Sequence, residues 1–342
     1  MTRPPATRWT AGRRRLQSPA ATLVIGAVLV FAMTLCVTTR HAQASVSSPS
    51  ARPAPRDAQA VPNASPAADP AGPTNIPEAD PPPADDREVI EVATVRAFVD
   101  AIGSDRILRL TGDDYLLSSF RNINTRHARV TDRGFYILGV ENLTIQGHAA
   151  LLTDIADVPV LTLIGCENLC LDNLELGHTA QAVKQYGACT GPVIEATDCE
   201  ELTLAFCDLF GCGAVGLELS NIQALRFESS RIYGCKLGLI QATHALDMHF
   251  IDASFDNNTL DGFAMTFTNC GPVHFRDCAA YENTQSQRTS KWTEDFFNIT
   301  DPAGGGEHPT RITLENSAFE TFPFAQLTNR PARVREVDAE DE

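Results

Sequence analysis

The sequence predicts an all-β fold, a single-stranded right-handed parallel β-helix (a solenoid) with a short N-terminal capping α-helix. Three observations carry this. One phrase recurs as Asn142-Leu-Thr-Ile, Asn168-Leu-Cys-Leu, Glu201-Leu-Thr-Leu, Ala224-Leu-Arg-Phe, Asp247-Met-His-Phe and Pro272-Val-His-Phe, with an echo at Arg311-Ile-Thr-Leu. The steps are 26, 33, 23, 23, 25 and 39 residues, a basic unit of about 23 residues with insertions, and periods in that range mark solenoids and arrays. Within each unit apolar and polar residues alternate, the period of a strand with one buried face.

Before the repeats the chain has no globular pattern. Residues 1–44 carry Arg3, Arg8 and Arg13-Arg14-Arg15 and then an uncharged run from Ser18 to Thr39, followed by Ala42-Gln43-Ala44. This reads either as a cleaved export signal or as an uncleaved signal anchor. Both place the rest outside the cytoplasm, secreted, periplasmic or at the cell surface. Residues 45–87 are Pro, Ala, Asp and Ser with few large apolar residues, the composition of a semi-stiff disordered tether. Residues 88–329 hold the repeats, and 330–342 read as a charged, disordered tail.

Charge narrows the partners. Six of the 27 Lys and Arg, and none of the 43 Asp and Glu, precede Ser45, so the remainder carries −22. Such a body repels nucleic acid and anionic membranes, leaving the N-terminal segment as the one route to a membrane. Polyuronates are disfavoured unless a calcium ion bridges the two. No other cofactor is expected.

The repeat region opens with TVRAFVDAI, where Val95, Phe98, Val99 and Ile102 share one helical face, Thr94 suits the N-cap and Gly103 the stop. A helix here covers the open end of the stack. Ile107–Leu110 and Thr111–Leu117 read as strand, turn and strand, and Ser118–Gly134 as a polar loop. In register, Leu169/Leu171, Leu202/Leu204, Leu225/Phe227, Met248/Phe250 and Val273/Phe275 form one inward strand. Leu174/Leu176, Cys207/Leu209, Ser230/Ile232, Ala253/Phe255 and Cys278/Ala280 form a second. A looser third follows, as in Val215/Leu217/Leu219. Three strands per turn is the β-helix pattern, with right-handed crossovers.

These phrases, the Asn258/Asn283 pair at the turn and the opening TVRAFVDAI…GDDYLL resemble the right-handed parallel β-helix proteins of the pectin-lyase-like superfamily, from about Glu88 to Asn329. Closer still are bacterial members with Gly-His-Thr and Cys-x-Gly-x-Val, here Gly177-His178-Thr179 and Cys189-Thr190-Gly191-Pro192-Val193. The resemblance implies fold rather than activity. The paired-aspartate signatures of polygalacturonases and the calcium-site and arginine motifs of pectate lyases are missing.

Nine cysteines follow Cys36. Register puts Cys166, Cys199 and Cys270 in one column, Cys207 and Cys278 in a second, and Cys212 and Cys235 in a third, so they read mainly as reduced core residues, with disulfides as the alternative in an exported domain. A Cys189–His178 nucleophile pair needs both side chains within hydrogen-bond reach, and His178 reads more simply as a loop anchor. His249 over His274 lacks a third ligand, so no metal is expected there.

The outward positions of the second strand concentrate chemistry. Asp208, Arg231 and Asp256 are the candidate catalytic residues. Asp208 and Asp256 two turns apart suit an acid and a base flanking a water, and Arg231 suits proton abstraction or charge neutralisation in a lyase. Phe210, Tyr233 and Tyr281 offer faces for sugar rings, and His178 and Trp292 lie on insertions that overhang this face. The bland alternative is a solvated ion-pair ladder beside stacked rings. The expected function is therefore interaction with a polysaccharide or cell-surface glycan by a monomeric exported rod, with or without cleavage as a lyase or hydrolase. The alternative is a non-catalytic surface module that binds glycan or protein.

Overall fold

The computed structural model describes residues 85–182, 189–211, 215–286, 295–301, 308–320 and 326–337. The leader, nearly all of the tether, Cys212 and Trp292 lie outside these residues. The described chain is nearly all β, and almost every strand pairs in parallel with its counterpart in the neighbouring repeat.

Each repeat contributes to three ladders. In the first, Leu143, Leu169, Leu202, Leu225, Met248, Val273 and Ile312 are successive register partners. The second runs through Glu175, Asp208, Arg231, Ser254 and Ala279. The third joins Leu161–Ile164, Ile194–Thr197, Val215–Ser220, Gly238–Thr243, Met265–Thr268 and Phe297–Ile299. Leu, Ile, Val and Phe from all three fill one continuous core.

Bends between ladders are made by single residues in the left-handed region. Asn142, Asn168, Glu201, Ala224 and Asp247 open the first ladder with φ between 49° and 60°. Asn173, Phe206, Ser229, Asp252, Asp277 and Asn316, with φ between 45° and 57°, turn the chain into the second. Asn and Asp tolerate this conformation best, and here they also bond along the stack. Asn168 Nδ2 donates to Asn142 Oδ1 and Asn142 Nδ2 to Asp105 Oδ1, both at 2.8 Å. In the interior, Asn258 accepts from the Cys235 amide at 2.8 Å and donates to Asn283 at 2.9 Å, so these buried amides stay satisfied.

The capping helix forms over Val95–Ala101, with Thr94 Oγ1 accepting from the Ala97 amide at 3.2 Å. Phe98 stacks on Phe135 at 5.5 Å and meets Tyr115 edge-on, which plugs the first turn. Two expectations need correction. Ser118–Gly134 is not simply a loop, because Ala128–Thr131 pairs antiparallel with Gly134–Leu138 and buries Ala128 and Val130. Residues 331–337 are not a disordered tail either. Val334–Val337 adds a parallel strand to Arg311–Glu315, and Val334 packs on the core. One apolar contact under a charged sequence is enough when a ladder edge supplies the backbone bonds.

Among the described residues seven cysteines are free thiols, and all but the half-buried Cys170 are buried. Burial pushes the Cys207 and Cys235 thiols up to about 12, so they pack as small apolar groups and not as nucleophiles. Cys189 is disulfide-bonded and has no thiol to offer His178, which removes that pair.

Candidate functional site

The second ladder presents two outward columns. One holds Glu175, Asp208, Arg231, Ser254 and Ala279, and the other Gly177, Phe210, Tyr233, Asp256 and Tyr281. Their inward neighbours Leu176, Leu209, Ile232 and Phe255 are buried, which fixes the spacing of the outward residues at about 4.8 Å per rung.

At the centre is a clamp. Arg231 Nε donates to Asp256 Oδ1 at 2.7 Å, Nη2 donates to Oδ2, and Asn257 Nδ2 also donates to Oδ2 at 2.6 Å. The guanidinium carbon stands 4.4 Å from the centre of the Tyr233 ring, which lies 5.3 Å from Phe210. Its hydrogen bond to Asp256 raises the Arg231 pKa above the ordinary arginine value, so the group is permanently charged. The Asp256 side chain is 1% exposed and that of Arg231 38%. Arg231 is thus a cation held rigidly at the surface by a hidden carboxylate.

Asp256 was expected to face outward as an acid or base across from Asp208. It lies in an outward column but is closed off there, because Arg231 and Asn257 bond its two oxygens and leave its side chain 1% exposed. Register also sets it in the other column from Asp208. Asp256 can position Arg231 but cannot reach a reacting atom. Glu175, one rung from Asp208 in the same column, is the carboxylate that faces solvent beside it. Burial, and then the nearby Asp208 and Asp114 charges, raise its carboxyl above the usual range. The same surroundings, burial foremost, push the Tyr233 phenol up to about 12.

A pH test follows for Glu175. Its folded pKa is raised, so its ionisation opposes folding, and that penalty vanishes once folded and unfolded states are both protonated. Glu175→Gln should therefore raise the urea midpoint at neutral pH and lose the advantage at about pH 3. A constant offset at both values would rule out the charge effect.

The other candidates divide. Tyr281 is 38% exposed and lies open on the outer face. Phe210 is half-buried and packs on a small cluster of Ala156, Ala182 and Cys189. His178 is 2% exposed; its Nε2 donates to the Val158 carbonyl at 3.1 Å, and burial pushes its pKa down, so it is neutral and closed off. Gly191 runs against the same residue, where a Cβ would meet the Val158 carbonyl oxygen at 2.1 Å. The Gly-His-Thr and Cys-x-Gly-x-Val segments thus close on the loop at Ala156–Val158, with Thr190 and Gly191 amides donating to the Ala156 carbonyl at 2.7 and 3.1 Å. Their visible role is structural.

Phe206 is the exposed aromatic that sequence reasoning missed. It is 60% exposed and sits at a bend with φ 53°, a position that Asn, Ser or Asp takes in neighbouring rungs. The signal was available, since a phenylalanine in a column of turn formers is out of place twice over. Cavities of about 370 and 270 Å³ flank Val334–Val337 at the C-terminal end of the stack, and the second is lined in part by Ala318, which continues the Ala279 column.

No protein-family model matches the chain, and no curated protein sequence matches it. Among solved structures it is similar to one from Parabacteroides merdae described as a "putative glycosyl hydrolase", with 11% identity, 70% of this chain and 98% of that chain covered, and a TM-score of 0.31. A likeness at that level bears on neither the site nor its chemistry.

Proposed function

We propose that the chain is an exported right-handed parallel β-helix that holds a polysaccharide along the outer face of its second ladder. The observation that carries this reading is the exposure of Tyr281 and the clamped Arg231 on that face, with Phe206 exposed at the bend that leads into it. Sugar rings pair apolar faces with hydroxyl edges, and rigid aromatics beside a fixed planar donor meet both needs. The three ladders and the one-residue bends support the winding. The leader supports export, and the net charge favours a neutral glycan over nucleic acid. An acidic glycan would need a bridging calcium ion.

A second, catalytic reading rests on Glu175 and Asp208. Their strands are successive rungs, about 4.8 Å apart, which can bring the carboxyls to the separation of about 5–5.5 Å used by an acid and a nucleophile in retaining glycoside hydrolysis, and the raised Glu175 carboxyl suits the acid.

The test is an array of neutral, amino and acidic glycans probed with the full chain, with Phe206→Gly beside it. Glycine relieves a left-handed residue that costs about 1–2 kcal/mol, partly offset by its freer unfolded state. The variant should therefore melt about 2–4 °C higher and yet bind the hit glycan about tenfold more weakly, ~1.4 kcal/mol. Release of reducing ends or unsaturated products from that glycan, lost in Glu175→Gln, would establish cleavage. No glycan retained on the array overturns the reading.

A further inference from the structure

We propose that His178 is an acid-sensitive latch, which holds residues 189–193 closed against Phe210 at neutral pH and releases them when its imidazole takes up a proton. The latch is a property of the fold, and only its consequence for glycan binding rests on the reading above. His178 ends a strand of the second ladder, where its register partner is Thr153. It is 2% exposed, and its two ring nitrogens are treated unequally. Nε2 donates to the Val158 carbonyl at 3.1 Å, whereas Nδ1 is buried with no hydrogen-bond partner among the described residues.

A neutral imidazole fits this site because it has one N–H to place, and Val158 takes it. A second proton would put an N–H and a full charge at Nδ1, where burial supplies neither water nor an acceptor. Burial accordingly pushes the His178 pKa below its ordinary value, against the smaller upward pull of the Val158 carbonyl. No charge on the elements around the ring compensates. The facing loop carries Asp154 and Asp157, neither of which contributes to the shift, and Thr153, Thr179, Thr190 and Gly191 are uncharged. Lys184 of the same insertion lies outside the described residues. A released ring therefore binds the proton more readily than a held one. Closure is favoured above the ordinary value of 6.5 and is lost as pH falls through the lowered value of the closed state.

When the ring leaves, the bond to Val158 goes with it, and Val158 is where residues 189–193 pack most tightly. A Cβ on Gly191 would meet the Val158 carbonyl carbon at 2.2 Å, and the Thr190 and Gly191 amides both donate to the Ala156 carbonyl. Ala156, Ala182 and Cys189 form the small apolar cluster against which Phe210 rests. Lifting residues 189–191 from residues 156–158 thus bares Phe210, whose ring stands 5.3 Å from that of Tyr233 on the outer face. Acid lengthens the aromatic row open to a sugar chain, so glycan is held more tightly at low pH.

Amide exchange of the full chain, with no glycan present, tests the latch. Protection at Thr190 and Gly191, corrected for the intrinsic rate, should fall about tenfold between about pH 7.5 and about pH 5, while Leu225 and Phe227 keep theirs. The fall should track protonation of the His178 ring, followed by its NMR signal. In His178→Gln the side-chain amide can donate to Val158 but takes no proton. Protection at Thr190 and Gly191 should then be independent of pH over this range, whether the segment is held or free. The same acid-dependent fall in the variant, or unchanged protection of the wild type at about pH 5, overturns the latch. The glycan retained on the array supplies the second arm. The wild type should bind it about threefold more tightly at the lower pH, and His178→Gln equally at both. Exchange that changes while affinity does not overturns the regulatory role. An array without a hit removes the glycan reading and leaves the exchange result to decide the latch.

Discussion

Arg231→Met should destabilise the fold by about 3–5 kcal/mol, and Asp256→Asn by only about 1–2 kcal/mol, although both break the same ion pair. The asymmetry follows from burial. The Asp256 side chain is 1% exposed, and without the guanidinium it keeps only the Asn257 donor. A carboxylate left in that state carries most of its desolvation penalty uncompensated. Arg231 is 38% exposed, so it rehydrates when its partner is neutralised, and the asparagine amide preserves the volume. Urea denaturation checks the order through the midpoint at constant slope. If Asp256→Asn proves the worse variant, the carboxylate is not the buried member in solution. Glycan affinity gives a second readout. Asp256→Asn frees the guanidinium from its fixed plane and should weaken binding although Asp256 touches no ligand, whereas Arg231→Lys keeps a charge but loses the fork.

Periodicity made most of the fold legible. The columns of Leu, Val, Ile and Phe on the first two ladders pair in the register that alignment of the repeated phrase assigned, because a one-residue slip would turn every one of them to solvent. The capping helix was legible from its face and its Thr94 cap. Period-two alternation is silent about partners, however, so Ala128–Thr131 and Val334–Val337 passed for loop and tail. The site was less legible. Alternation says which way a side chain leaves the backbone, but not whether a neighbour then covers it. Asp256 points outward and is hidden by Arg231, while Phe206 stands exposed at a bend that alternation does not describe. Glu175 could have been chosen from the columns alone, since it lies one rung from Asp208.

Phe255→Ala should be the most damaging of the single core substitutions near the site. Phe255 is fully buried, and its ring lies 6.4, 6.1, 6.2 and 6.4 Å from those of Phe227, Phe250, Phe275 and Phe319. Truncating a buried phenylalanine costs about 3–5 kcal/mol, and a core of interlocked rings has little freedom to collapse into the gap. The damage should also be local. Rungs of a stack contact only their neighbours, so stability is lost near the cavity and retained further away. Amide exchange should accelerate across Arg231–Tyr233, Ser254–Asp256 and Ala279–Tyr281, while Leu143 and Ile145, several rungs towards the N-terminus, keep their protection. Phe255 lies between Ser254 and Asp256, so loosening this strand also releases the carboxylate that holds Arg231. Glycan binding should fall together with protection of these three strands, and Phe255→Leu, which refills much of the cavity, should recover both. Uniform loss of protection along the whole stack would show instead that the ladders unfold as one unit and that the clamp has no local dependence on the core beneath it.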